Sequence, residues 1–121
     1  MKRQIVVCDN DIEILNAFSM ILEDDQTVVT TVANASALAA VLDGIKADIL
    51  FMDIHMPNQD GDQILRELRA SDKHHKLPVV MISGSPDGRS ISLECGADGF
   101  LAKPFDIIDV ENYIRRFVYE R

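Results

Sequence analysis

Apolar residues fall along this chain in two alternating patterns. Short unbroken runs at Gln4–Cys8 (Q-I-V-V-C), Ile49–Met52 (I-L-F-M) and Pro78–Ile82 (P-V-V-M-I) predict strands buried on both faces, as parallel strands are. Thr27–Val32, dense in β-branched residues, and the shorter Gly99–Ala102 complete a set of five. Between them the apolar positions recur at helical spacing: Ile14, Leu15, Phe18, Ile21 and Leu22 first, later Ile64, Leu65 and Leu68, and finally Ile107, Ile108, Val110, Tyr113, Ile114, Phe117 and Val118, each set predicting one face packed on a sheet. Asp11 and Asn34 are residues that cap helix starts. The first opens the leading helix, and the second an alanine-rich helix ending near Gly44. The third helix loses its pattern near Ser71. After the fourth strand Pro86, Gly88, Ser85, Ser90 and Ser92 are poor helix formers, so the fourth helix is predicted to be short or irregular.

Strands alternating with helices predict an α/β fold: a parallel sheet, doubly wound and covered on both faces, joined by right-handed crossovers. The chain has 121 residues, enough for one substantial core. No linker, repeat or low-complexity stretch divides it, so residues 1–121 are expected to form one domain. Its 12 basic and 20 acidic residues leave a net charge of −8, which argues against nonspecific binding to nucleic acid or to an anionic membrane. No stretch approaches the roughly 20 apolar residues of a membrane span, and the start M-K-R-Q-I-V-V-C-D lacks a signal-peptide pattern. The expectation is a soluble, cytoplasmic protein. Cys8 lies in an apolar run, far in sequence from Cys95, and reads as one of two buried thiols.

The candidate chemistry sits where the strands stop. The third run ends abruptly at Asp53, the first is followed at once by Asp9, Asn10 and Asp11, the fourth ends in Ser83-Gly84, and the fifth in Lys103-Pro104. In an open parallel sheet the carboxyl ends of the strands share one edge, where such folds bind ligands. Asp9 and Asp53 there would supply hard oxygen ligands suited to Mg²⁺, and the cation would relieve their mutual repulsion. Ser83 could donate a hydrogen bond, and Lys103 a positive charge, to a phosphoryl group. Each residue also has a plainer role open to it. Asp9 or Asp11 could cap a helix, Asn10 could be a turn residue, Ser83 a loop hydroxyl, Lys103 a solvated amine and Phe100 ordinary core. His74 and His75, within D-K-H-H-K, read as a solvated loop.

In combination, C-D-N-D (Cys8–Asp11), M-D-I-H-M-P-N-Q-D-G (Met52–Gly61), I-S-G (Ile82–Gly84) and F-L-A-K-P-F (Phe100–Phe105) resemble the receiver domains of two-component response regulators over essentially the whole chain. The resemblance implies a flavodoxin-like sheet of five strands in the order 2-1-3-4-5. It also implies that Asp53 is a phosphoacceptor, with Asp9, Asn10, Asp53 and the backbone carbonyl of His55 holding Mg²⁺. By the same likeness Ser83 hydrogen-bonds the phosphoryl group and Lys103 pairs with its oxygens. Phe100 is then the aromatic that reorients with Ser83, and Lys103-Pro104 is a cis peptide. The implied donor is a sensor histidine kinase or a histidine phosphotransfer protein. The implied role is a signalling switch whose only catalysis is its own phosphorylation and dephosphorylation.

Two departures from the family pattern stand out. Asn10 occupies a position usually held by a second carboxylate, which predicts weaker metal binding. The stretch from Ser83 to Lys103 is slightly short and rich in glycine and serine. Rival readings are a pseudo-receiver, which keeps the fold but acts as an interaction module without phosphorylation, a haloacid-dehalogenase-type phosphatase, and a flavodoxin-like flavin carrier. The phosphatase would need an acid two residues after Asp53, where His55 stands, and room for a substrate cap. The flavin carrier would need a phosphate-cradling run of Ser, Thr and Gly after the first strand.

Overall fold

The computed structural model describes residues 2–57 and 59–120; Asn58, part of the motif quoted above, lies outside them. The five strands are β1 (Arg3–Cys8), β2 (Thr27–Val32), β3 (Ile49–Asp53), β4 (Val79–Ser83) and β5 (Gly99–Ala102). All pair in parallel, in the order β2-β1-β3-β4-β5. The expected fold is therefore the observed one. β4 runs one residue later than expected: Pro78 has no N–H to give a ladder, though its carbonyl accepts from the Leu50 amide at 2.9 Å.

Period-2 alternation divides the strand residues between two cores. Val6, Cys8, Leu50, Met52, Val79 and Met81 face one side, where they meet Leu38 and Leu42 of α2 (Leu38–Gly44) and Ile64, Leu65 and Leu68 of α3 (Gly61–Arg69). Ile5, Val7, Ile49, Phe51, Val80 and Ile82 face the other. They pack on Leu15 and Phe18 of α1 (Ile12–Leu22) and on Val110 and Ile114 of α5 (Ile107–Ile114). Both caps act as expected. Asp11 accepts from the Glu13 amide at 3.0 Å, and Asn34 from the Ser36 amide at 3.0 Å, the latter opening a 3₁₀ turn that runs on into α2. α4 (Gly88–Glu94) is indeed short. The turn after α5, Arg115–Tyr119, is π-helical.

Two residues assigned to packed faces lie outside them. Ile21 is 54% exposed and Ile108 62%. At about 100° per residue Ile21 falls on the flank of the stripe centred on Phe18 and Leu22, and Ile108 lies roughly opposite Val110. Cys8 and Cys95 are free and buried, as expected. Burial, reinforced by the charges of Asp9 and Asp53, pushes the Cys8 thiol up to about 12, so it stays protonated.

The end of the sheet remote from the acidic residues is tied by Arg69. Its guanidinium donates to the carbonyls of Gly96 (3.0 Å), His75 (3.3 Å) and Leu77 (2.8 Å), and pairs at 2.7 Å with Asp98, which also accepts from the Val79 amide at 2.8 Å. Arg69→Ala is expected to lower unfolding stability by about 1.5 kcal/mol, because charge-assisted bonds to main-chain carbonyls are lost together. Arg69→Lys should recover little, since one ammonium cannot serve a forked set of acceptors. Urea denaturation checks this, and an alanine variant as stable as the parent would show that the strut is idle.

Candidate functional site

Register brings the polar strand ends to one level. Cys8 pairs with Met52 and Asp53 with Ile82, so Asp9, one residue past β1, lies beside Asp53. The Asp9 amide donates to Val32 O at 3.0 Å, and the Lys103 amide to Ser83 O at 2.9 Å. The main chain thus holds these residues along one edge of the sheet.

The side chains converge as the sequence suggested for three of the four. Lys103 Nζ lies 3.2 Å from Asp9 Oδ2 and 3.2 Å from Asp53 Oδ2. Asp9 is fully buried and Asp53 only 4% exposed. Asp9 Oδ1 accepts from the Asp11 amide at 2.8 Å, and Asp53 Oδ1 from the His55 amide at 3.0 Å. Asp9 Oδ2 has the lysine contact but no well-aligned donor. Burial raises the Asp9 pKa above the ordinary carboxylate range; the neighbouring Asp53 charge adds to this, while the Asp11 amide and Lys103 oppose it. For Lys103, burial pulls the other way but is outweighed by the charges of Asp9 and Asp53, which hold the ammonium above its usual value. Its plainer reading, a solvated amine, does not hold. The lysine is the counter-ion of a buried acidic pair.

The side chains of the remaining predicted residues form no bond to this centre among the described residues. Asn10 is exposed between Asp9 and the capping Asp11, and His55 presents an exposed side chain beside Asp53. Ser83 is buried, its Oγ accepting from the Ser85 amide at 2.9 Å. Phe100 is half-buried beneath Arg89, whose guanidinium lies 5.0 Å from the ring centre. The Lys103-Pro104 peptide is cis. His74 is more engaged than a free loop residue, with its ring 3.0 Å from Asp43 Oδ1, but this pair is far along the chain from the acidic centre and touches none of it.

Among the described residues, no three His, Cys, Asp or Glu side chains come together as a metal cluster. A cation at Asp9 and Asp53 would take its other ligands from amide, carbonyl and water oxygens, the hard donors Mg²⁺ accepts. The under-bonded, fully buried Asp9 oxygen suits that role. A groove of about 560 Å³ lies between α1 and the segment after β5, lined by Lys103 together with Ile14, Phe18, Ile21, Pro104 and Phe105.

Two contributors were not singled out from the sequence. Gly61 donates its amide to Ile54 O at 2.7 Å, and a Cβ there would strike the Asp53 carbonyl oxygen. The Asp60-Gly61 turn signal was visible, but not this close approach. The Tyr113 hydroxyl accepts from the Phe100 amide at 3.0 Å and donates to the Phe100 carbonyl at 3.2 Å. Helical spacing marked Tyr113 only as packing.

Comparison with known proteins agrees with the geometry. Residues 5–115 match the family model described as the response regulator receiver domain. The transcriptional regulatory protein CpxR of Klebsiella pneumoniae is 33% identical over 105 residues, 85% of this chain and 44% of its own length. The transcriptional regulatory protein KdpE of Staphylococcus aureus is 27% identical over 117 residues, 95% of this chain and 49% of its own. The chain thus spans about half the length of these curated relatives. Among solved structures, chemotaxis protein CheY4 of Vibrio cholerae superposes with a TM-score of 0.86 at 23% identity, covering 98% of this chain and 100% of that one. The receiver domain of sensor histidine kinase PA1611 from Pseudomonas aeruginosa, described with a magnesium ion coordinated in its active-site cleft, gives 0.85 at 22%, covering 98% and 99%. Among the described residues no helix is long and apolar enough to cross a membrane.

Proposed function

The chain belongs to the response regulator receiver domains, signalling domains of two-component systems rather than classical enzymes, and from that membership we propose that Asp53 accepts a phosphoryl group in a Mg²⁺-dependent reaction. The observation that carries this reading is the pair of buried carboxylates bridged by one lysine, with an Asp9 oxygen left short of donors. Asp9, Asp53, the Asn10 amide oxygen and the His55 backbone carbonyl would hold the cation. When bound, Mg²⁺ supplies positive charge that offsets the acidic pair and the phosphoryl oxygens. In the transfer, an Asp53 carboxylate oxygen forms the new O–P bond as the N–P bond of a phosphohistidine donor breaks, and the donor imidazole leaves with the electron pair. Lys103, already beside Asp53, shifts its contact to a phosphoryl oxygen, and the Ser83 hydroxyl donates to another.

Residues 1–121 make up one such domain in this reading, working in the cytoplasm. Its donor is a sensor histidine kinase or a histidine phosphotransfer protein, whose histidine-bearing segment lies in the groove between α1 and the segment after β5. The apolar wall gives the contact area, and Lys103, which lines the groove and contacts Asp53, guides the phosphoryl group to it. Phosphorylation then biases the domain toward an active state through Ser83 and Phe100, changing its contacts with a partner or output domain.

The test is incubation with Mg²⁺ and acetyl phosphate, read by intact mass. One phosphoryl adduct is expected, lost on chelation and absent in Asp53→Asn. An adduct that persists in Asp53→Asn would overturn the assignment. Asn10, which removes a usual metal-site charge, favours the alternative of a phosphorylation-independent interaction module. A parent protein that takes up no phosphoryl group from acetyl phosphate or a kinase would establish that alternative.

A further inference from the structure

Ser83, Gly88 and Phe100 meet in a contact with no spare volume. Gly88, the first residue of α4, is buried, and a Cβ placed on it would lie 2.6 Å from Ser83 Cβ, 2.8 Å from Ser83 Oγ and 3.0 Å from Phe100 Cε1. The glycine cannot readily withdraw. Its amide donates to Ser85 O at 3.2 Å, and its carbonyl accepts from the hydroxyl of buried Ser92 at 2.7 Å. Nor can the other two partners. Ser83 is on a strand whose five residues are all buried, and the backbone of Phe100 is held on both its amide and its carbonyl by Tyr113.

We propose that Gly88 is a positioning residue for Ser83: by leaving out a side chain at the start of α4, it gives the Ser83 hydroxyl the room from which it serves the phosphoryl group on Asp53. The same gap makes the placement of Ser83 and of the Phe100 ring depend on each other, since both fill it. A methyl group at position 88 would strike Ser83 Cβ, which no side-chain rotation can move, so α4 or the Ser83 main chain must shift and carry the hydroxyl out of place; close-packed interiors absorb such intrusions poorly. This inference rests on Asp53 being the phosphoacceptor.

The experiment is a double-mutant cycle on the rate of adduct formation with Mg²⁺ and acetyl phosphate, with thermal unfolding followed in parallel. Gly88→Ala is expected to slow uptake about fivefold or more, because a donor to the transferring group is misplaced. Gly44→Ala is the control, because a Cβ at that site meets nothing within 4 Å, and it should stay within about twofold of the parent. In a Ser83→Gly background, which removes the two nearest atoms and leaves only the looser contact with Phe100 Cε1 at 3.0 Å, adding Gly88→Ala should change the rate by less than about twofold. Equal slowing in both backgrounds, or a folded Gly88→Ala protein with the parent rate, overturns the proposal while leaving the phosphoacceptor reading intact. A parent protein that forms no adduct overturns both. If Gly88→Ala alone fails to fold, the double variant decides: recovered cooperative unfolding supports the contact with Ser83, and continued failure overturns it.

Discussion

Replacing Lys103 by alanine should lower the stability of the metal-free protein by about 3 kcal/mol at neutral pH, a fall in Tm on the order of 10 °C for a chain of this size. Sequence reasoning alone points the other way, since removal of a solvated charge usually costs about 0.5 kcal/mol or less. The geometry decides between them. Lys103 Nζ is 3.2 Å from a carboxylate oxygen of both Asp9 and Asp53, and its own side chain is only 26% exposed. Without it two buried carboxylates face each other uncompensated, which is far worse than losing an ion pair at the surface.

The same variant carries a metal and a pH signature. Millimolar Mg²⁺ should raise its Tm by more than it raises that of the parent, because the cation takes over a compensation the parent already has from Lys103. Asp9 has a folded-state pKa raised by burial, and an acid with a raised pKa costs stability where it is ionised and stops doing so as pH falls through that pKa. Loss of Lys103 removes an opposing influence and raises it further. The stability gap between parent and Lys103→Ala should therefore narrow as the pH is lowered from neutral and Asp9, with its raised pKa, begins to protonate. A gap of under about 0.5 kcal/mol at neutral pH, unmoved by Mg²⁺, would mean that the lysine does not compensate the pair.

The strands were the most legible part of the chain, because burial on both faces leaves an apolar run too short for a helix and bounded by polar or turn residues. The site was legible for a related reason. A polar group that ends such a run stands out, and strand order then places Asp9, Asp53, Ser83 and Lys103 along one edge without any knowledge of distances. Less legible was what depends on contact across the fold. Helical spacing put Ile21 and Ile108 on packed faces that the true breadth of each face excludes. It marked Tyr113 as packing, when its hydroxyl ties both polar groups of Phe100, thirteen residues away in sequence. The steric roles of Gly61 and Gly88 lie in the absence of a side chain, which sequence reports only as a turn or a weak helix. The partner of Lys103 was similarly hidden: a lysine before proline does not show whether it meets water or two buried acids.

Asn10→Asp should tighten Mg²⁺ binding about thirtyfold, or about 2 kcal/mol. A unit charge about 4 Å from a second is worth roughly 4 kcal/mol at an effective dielectric near 20, and two effects reduce this. Position 10 is exposed, so water screens part of the attraction, and a third carboxylate must be brought close to Asp9 and Asp53. That second effect also has its own consequence. Among the described residues Lys103 is the one cation paired with Asp9 and Asp53, so in the metal-free protein an added negative charge is repelled and the variant should be less stable than the parent until metal is supplied. Tighter binding thus follows from the attraction of the added charge to the cation, and lower metal-free stability from its repulsion by Asp9 and Asp53. Calorimetric titration with Mg²⁺, at matched pH and ionic strength, measures the first, and thermal unfolding in a chelator the second. Equal or weaker binding by Asn10→Asp would place residue 10 away from the cation, leaving Asp9 and Asp53 as its only side-chain ligands.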